Sequence, residues 1–132
     1  MTLIKSISGI RGTIGGNVGE GLSPLDVVRF TAAYGTWIKQ NRKVDSRKIV
    51  VGRDARLSGK MVESLVVGTL IGLGLDVVNI GLASTPTTEI AVQKEQACGG
   101  LILTASHNPK QLIVFDIYEN NAFELQQELI RR

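Results

Sequence analysis

The chain has 132 residues, 43% hydrophobic and 20% charged, with 3 proline and 15 glycine. That is one domain's length with enough apolar residues to bury a core, which excludes intrinsic disorder and a collagen-like fibre. The formal net charge of +3 is a mild excess that suits anionic small molecules as well as nucleic acid and selects neither.

A single cysteine, Cys98, excludes an internal disulfide scaffold and a multi-cysteine zinc site, so a reducing, cytoplasmic setting is expected. Lys5 stands where a signal peptide needs its apolar stretch, and no apolar run approaches the ~18 residues of a membrane span. The expectation is a soluble, unprocessed protein with no membrane partner.

Residues 2–7 read as a short first strand. Gly9, Gly12, Gly15, Gly16, Gly19 and Gly21 follow within one stretch, which predicts a long mobile loop. Ser23, Pro24 and Asp26 supply a cap, a first-turn proline and an early acid, the signature of a helix start. Val27, Phe30, Tyr34, Trp37 and Ile38 then recur at helical spacing as a core-facing stripe.

Lys39, Arg42, Lys43, Arg47 and Lys48 cluster at the exit of this helix. Stacking aromatics are absent nearby and cations are common at helix C-termini, so a nucleic-acid surface is not expected. Residues 49–52 predict a β-branched strand, 58–73 a helix stopped by Gly74, and 75–80 a buried strand. Thr85 and Pro86 open a helix to about residue 95, residues 99–104 and 111–118 read as strands, and 123–130 as a terminal helix. Strands alternating with helices imply right-handed crossovers. The expected fold is α/β: a three-layer α/β/α sandwich with a mostly parallel mixed sheet, one domain over 1–132.

In such a sheet, ligands bind beyond the C-terminal ends of the strands. Three polar stretches are placed there: Gly9-Ile10-Arg11-Gly12, the string VGRDARLSG at 51–59, and TASHNP at 104–109. Arginine between glycines lets a guanidinium fork and backbone N–H groups reach one anion, which favours a phosphorylated ligand. Arg53-Asp54 can equally be an intra-loop ion pair that shapes the turn. Ser106 and His107 are sequence neighbours, a spacing that does not by itself make a nucleophile and base pair. There is no Walker-type P-loop and no dinucleotide fingerprint, and Gly9–Gly12 matches the G-x-x-G of KH RNA-binding modules only in its four letters.

Together, GIRG at 9–12, VGRDARLSG, Thr85-Pro86 and TASHNP resemble the first domain of the α-D-phosphohexomutase superfamily, over about residues 1–110. The resemblance implies an enzyme with a phosphoserine mechanism, an intramolecular phosphotransferase of the isomerase class. Ser106 would carry the phosphoryl group between the 1- and 6-positions of a hexose phosphate through a bisphosphate intermediate, and its phosphate oxygens would bind Mg²⁺. His107 would assist proton transfer and Arg11 would lie beside the transferring phosphate. Arg53 and Lys110 are further candidates for substrate binding, although Lys110 stands earlier than the family's acid–base lysine. Carboxylate ligands for the metal would come from a domain this chain does not contain.

Residues 112–132 depart from the family pattern and read as an atypical tail. The implied partners are hexose phosphate and hexose bisphosphate, with self-association through the surface that further domains would cover as an additional expectation. Negligible activity is expected of the isolated chain, and the alternative reading is a non-catalytic phosphosugar-binding or interaction remnant.

Overall fold

Residues 4–6, 9–19, 21–41, 45–55, 57–104 and 112–118 are described by a computed structural model of the chain. Among these residues, nine elements run in the order β1 (Ile4–Ser6), β2 (Gly9–Thr13), α1 (Pro24–Asn41), β3 (Lys48–Arg53), α2 (Leu57–Gly72), β4 (Asp76–Leu82), α3 (Thr85–Lys94), β5 (Gly99–Thr104) and β6 (Leu112–Tyr118). The strands form one sheet in the order β1-β2-β6-β5-β3-β4.

Local chemistry accounts for the helix ends. At the start of α1 the Ser23 Oγ accepts from the Asp26 N–H at 3.3 Å, and Asp26 Oδ2 accepts from the Ser23 N–H at 2.9 Å. This reciprocal box satisfies donors that the first turn leaves free. Helix α2 ends where Gly74, at φ +84°, turns the chain left-handed. The Gly74 N–H then bonds the Ile71 carbonyl and the Leu75 N–H the Leu70 carbonyl, a Schellman closure. Lys39 Nζ on α1 donates to the Leu73 carbonyl at 2.8 Å, placing a cation at the negative end of α2. Helix α3 is capped by Ser84, whose Oγ accepts from the Thr87 N–H.

The α/β class, the mixed sheet and the three layers agree with expectation. Alternation along the strands separates the layers. Ile49 and Val51 of β3 and Leu101 and Leu103 of β5 join the core with Val27, Tyr34 and Ile38 of α1 and Val62, Val66 and Leu70 of α2. The opposite face of the same strands meets α3: a Cβ on Gly52 would come within 2.6 Å of Thr88 Oγ1, and one on Gly100 within 2.6 Å of Val92 Cγ2. Helices α1 and α2 therefore cover one face and α3 the other.

Parallel pairing is confined to β4-β3-β5, while β1, β2 and β6 join antiparallel. The antiparallel share is larger than the sequence implied, and its source is β2. The stretch expected to open a long loop at Gly9 is instead a strand as far as Thr13, paired to β1 on one side and β6 on the other. Glycine is admitted there because the returning chain crosses the strand closely. A Cβ on Gly12 would lie 2.8 Å from the Leu22 nitrogen, and the Leu22 N–H bonds the Thr13 carbonyl. β4 also runs beyond the expected residue 80, to Leu82, through a register shift opposite Val51/Gly52. Cys98 is buried, and its thiol donates to the Lys48 carbonyl oxygen at 3.2 Å. The expected terminal helix lies outside the described residues.

Candidate active site

The C-terminal ends of the parallel strands bring the polar stretches together. β3 ends at Arg53 beside Leu103 of β5 and Leu82 of β4. The Asp54 N–H continues the ladder to the Leu103 carbonyl at 3.0 Å, and the Ala83 N–H bonds the Arg53 carbonyl at 3.0 Å. Thr104 Oγ1, on the last residue of β5, donates to Asp54 Oδ2 at 3.3 Å. The beginnings of the second and third stretches are thus hydrogen-bonded to each other.

The antiparallel strands bring in the first stretch. Arg11 of β2 is in register with Val114 of β6, and Val114 with Thr104 of β5. One row across the sheet therefore contains Arg11, Val114, Thr104 and Asp54. With strands about 4.8 Å apart, the Arg11 and Thr104 backbones stand about 10 Å from each other. Arg11 occupies a strand rather than the loop the sequence implied, and the register still delivers it to the row that leads into TASHNP. Ser106, His107 and Lys110 lie outside the described residues; Thr104 stands two positions before Ser106.

Arg53 is held from within the protein. Its Nε donates to Glu63 Oε2 at 2.5 Å and its Nη1 to the Asp54 carbonyl at 3.1 Å. The Arg53 and Glu63 side chains are each only 18% exposed, so this charge-assisted bond is shielded from bulk water. The other carboxylate oxygen, Glu63 Oε1, accepts from Asn79 Nδ2 on β4 at 3.0 Å, and Asn79 Oδ1 accepts from the Gly81 N–H at 2.9 Å. Gly81 has φ +66°, a conformation that glycine adopts readily. Glu63 and Asn79 escaped the sequence reading. Their signal is an acid on a helix opposite an arginine ten positions earlier, which no local spacing rule picks out.

The expected magnesium ion finds no cage among the described residues: no three His, Cys, Asp or Glu side chains come together there. No helix among the described residues is long and apolar enough to cross a membrane.

Residues 3–132 match the sequence model of phosphoglucomutase/phosphomannomutase, alpha/beta/alpha domain I. The match continues through the stretch after residue 110 whose sequence carries none of the loop motifs. That stretch includes β6, an apolar strand whose part in the row is structural. A phosphoglucomutase/phosphomannomutase of Thermococcus kodakarensis is 34% identical over 119 residues, covering 89% of this chain and 26% of the relative. A phosphoglucosamine mutase of Helicobacter acinonychis is 34% identical over 113 residues, covering 86% of this chain and 25% of the relative. A solved structure from Thermus thermophilus, assigned as a phosphomannomutase, superposes with a TM-score of 0.78 at 26% identity, covering 98% of this chain and 30% of that one. The chain spans about a quarter of the length of the curated relatives it matches.

Proposed function

We infer the function from one premise: the chain belongs to the phosphoglucomutase/phosphomannomutase family, as that family's α/β/α domain I. In this reading the domain carries the phosphoryl group of a phosphohexomutase and Ser106 is the carrier. The Ser106 hydroxyl oxygen attacks one phosphorus of a hexose 1,6-bisphosphate, the bond from that phosphorus to the sugar oxygen breaks, and the serine proton passes to the departing sugar oxygen. His107 assists that proton's passage. Donation back to the other end of the hexose monophosphate completes exchange between the 1- and 6-positions. Two in-line displacements replace one difficult transfer, and the charge on phosphorus calls for a guanidinium, the role assigned to Arg11. Lys110 is assigned to substrate binding, and the setting is cytoplasmic.

The observation that carries this reading is the row Arg11, Val114, Thr104 and Asp54. It gathers three separate sequence motifs at the strand ends where α/β sheets bind ligands. Since the chain spans a quarter of its relatives, sustained turnover needs groups from outside it. The 132-residue protein is expected to take up one phosphoryl group from hexose 1,6-bisphosphate without converting glucose 1-phosphate at a measurable rate. Intact-mass measurement of the wild type and Ser106→Ala checks this. Equal uptake by both proteins removes Ser106 as the carrier, and robust conversion in a coupled assay removes the need for further domains.

A further inference from the structure

We propose that Glu63 is a positioning residue for the phosphoryl-transfer site, acting through Arg53 and Asp54 on Thr104. It rests on the reading of Ser106 as the carrier. From its place on α2, Glu63 joins both β3 and β4 through its side chain: one carboxylate oxygen holds Arg53 Nε, the other Asn79 Nδ2. Arg53 passes the constraint on, since its Nη1 holds the Asp54 carbonyl. Asp54 in turn is fixed to β5 at two points, by its N–H on the Leu103 carbonyl and by its carboxylate on Thr104 Oγ1. A continuous chain of hydrogen bonds thus runs from α2 to the residue two positions before Ser106.

Two observations separate this chain from ordinary core packing. None of its polar residues belongs to the apolar cluster that holds α1 and α2 on the sheet. The bonds from Arg53 through Asp54 to Thr104 lie at the C-terminal ends of β3 and β5, the end where the ligand is expected, while Asn79 anchors Glu63 from the middle of β4. Arg53 also has two of its guanidinium nitrogens engaged inside the protein. Its contribution to the site is therefore the placement of Asp54. Catalytic geometry held by such supporting bonds loses rate when displaced by a fraction of an ångström.

Two readouts on the 132-residue protein test the relay. One is the rate of phosphoryl uptake from hexose 1,6-bisphosphate, with Ser106→Ala as the blank. The other is hydrogen exchange at the Asp54 amide relative to the Val51 amide in the middle of β3. Uptake is expected to slow about tenfold in Glu63→Gln and about threefold in Thr104→Val, and about tenfold, not about thirtyfold, in the double variant, because both act along one chain. The Asp54 amide is expected to exchange about tenfold faster in Glu63→Gln while Val51 is unchanged. A folded Glu63→Gln protein with wild-type uptake and wild-type Asp54 exchange overturns the proposal, as do effects that multiply in the double variant. If the wild type takes up no more phosphate than Ser106→Ala, the carrier assignment falls and the exchange data alone decide the relay. Should Glu63→Gln not fold, Asn79→Ala takes its place, since it removes the second anchor of Glu63 and leaves Arg53 intact; unchanged Asp54 exchange in that variant counts against the relay.

Discussion

The two faces of the sheet are packed in different ways. Toward α1 and α2 the strands present Ile49, Val51, Leu101 and Leu103 to Tyr34, Ile38, Val66 and Leu70, all almost fully buried. Toward α3 the same strands present Gly52 and Gly100, where an added Cβ would reach Thr88 and Val92 at 2.6 Å. One face is built from side-chain volume throughout, whereas the other sets the buried Val50 and Ile102 beside two glycines whose bareness lets the α3 side chains reach the strand backbones. The first face should suffer from deletion and the second, at its two glycines, from addition, because close-packed interiors relax only partly in either direction.

The largest effect is expected from Leu101→Ala, which removes buried volume at the centre of the first face and should cost about 3 kcal/mol in urea unfolding. Gly100→Ala comes next at about 2 kcal/mol, since its new Cβ also lies 3.3 Å from the Val50 carbonyl oxygen, an atom of the rigid strand backbone. Adding Val92→Ala to Gly100→Ala sharpens the contrast: the pair should be about 1 kcal/mol better than additive, read from a double-mutant cycle. A Gly100→Ala protein as stable as wild type would erase the distinction between the faces. Ser23→Ala, at the N-terminal cap of α1 and outside both faces, should cost about 1 kcal/mol by thermal unfolding. The smallest effect is assigned to Ile90→Ser on the outer side of α3, where the side chain is 63% exposed; a change within about 0.5 kcal/mol is expected from its melting curve.

How much of this was legible in the sequence depended on the range of the forces involved. The start of α1 could be read because Ser23 and Asp26 bond each other three positions apart. The end of α2 could be read because Gly74 closes a turn on its own helix. The core stripe of α1 was legible as well, with Val27, Tyr34 and Ile38 buried and Phe30 and Trp37 packed beside them. β2 was not, since its glycines look like a loop until Leu22 is seen crossing Gly12. The extension of β4 to Leu82 depends on the register shift opposite Gly52 and on Gly81 at positive φ, and neither leaves a periodic trace. At the site, the motif strings located the strand ends. The bond between Arg53 and Glu63 joins a strand to a helix face, and only the packed structure reveals it.

The row that aligns Arg11 with Thr104 also has a consequence in time. Arg11 reaches it only through β6, which pairs Ile10 with Phe115 and Gly12 with Ile113, residues from distant parts of the sequence. During synthesis the β1-β2 pair therefore waits while α1, β3, α2, β4, α3 and β5 emerge and assemble. Pairings of such long sequence separation close slowly and leave strand edges open in the interval. The arginine that the proposed chemistry needs is thus made well before the strand that carries it to its place.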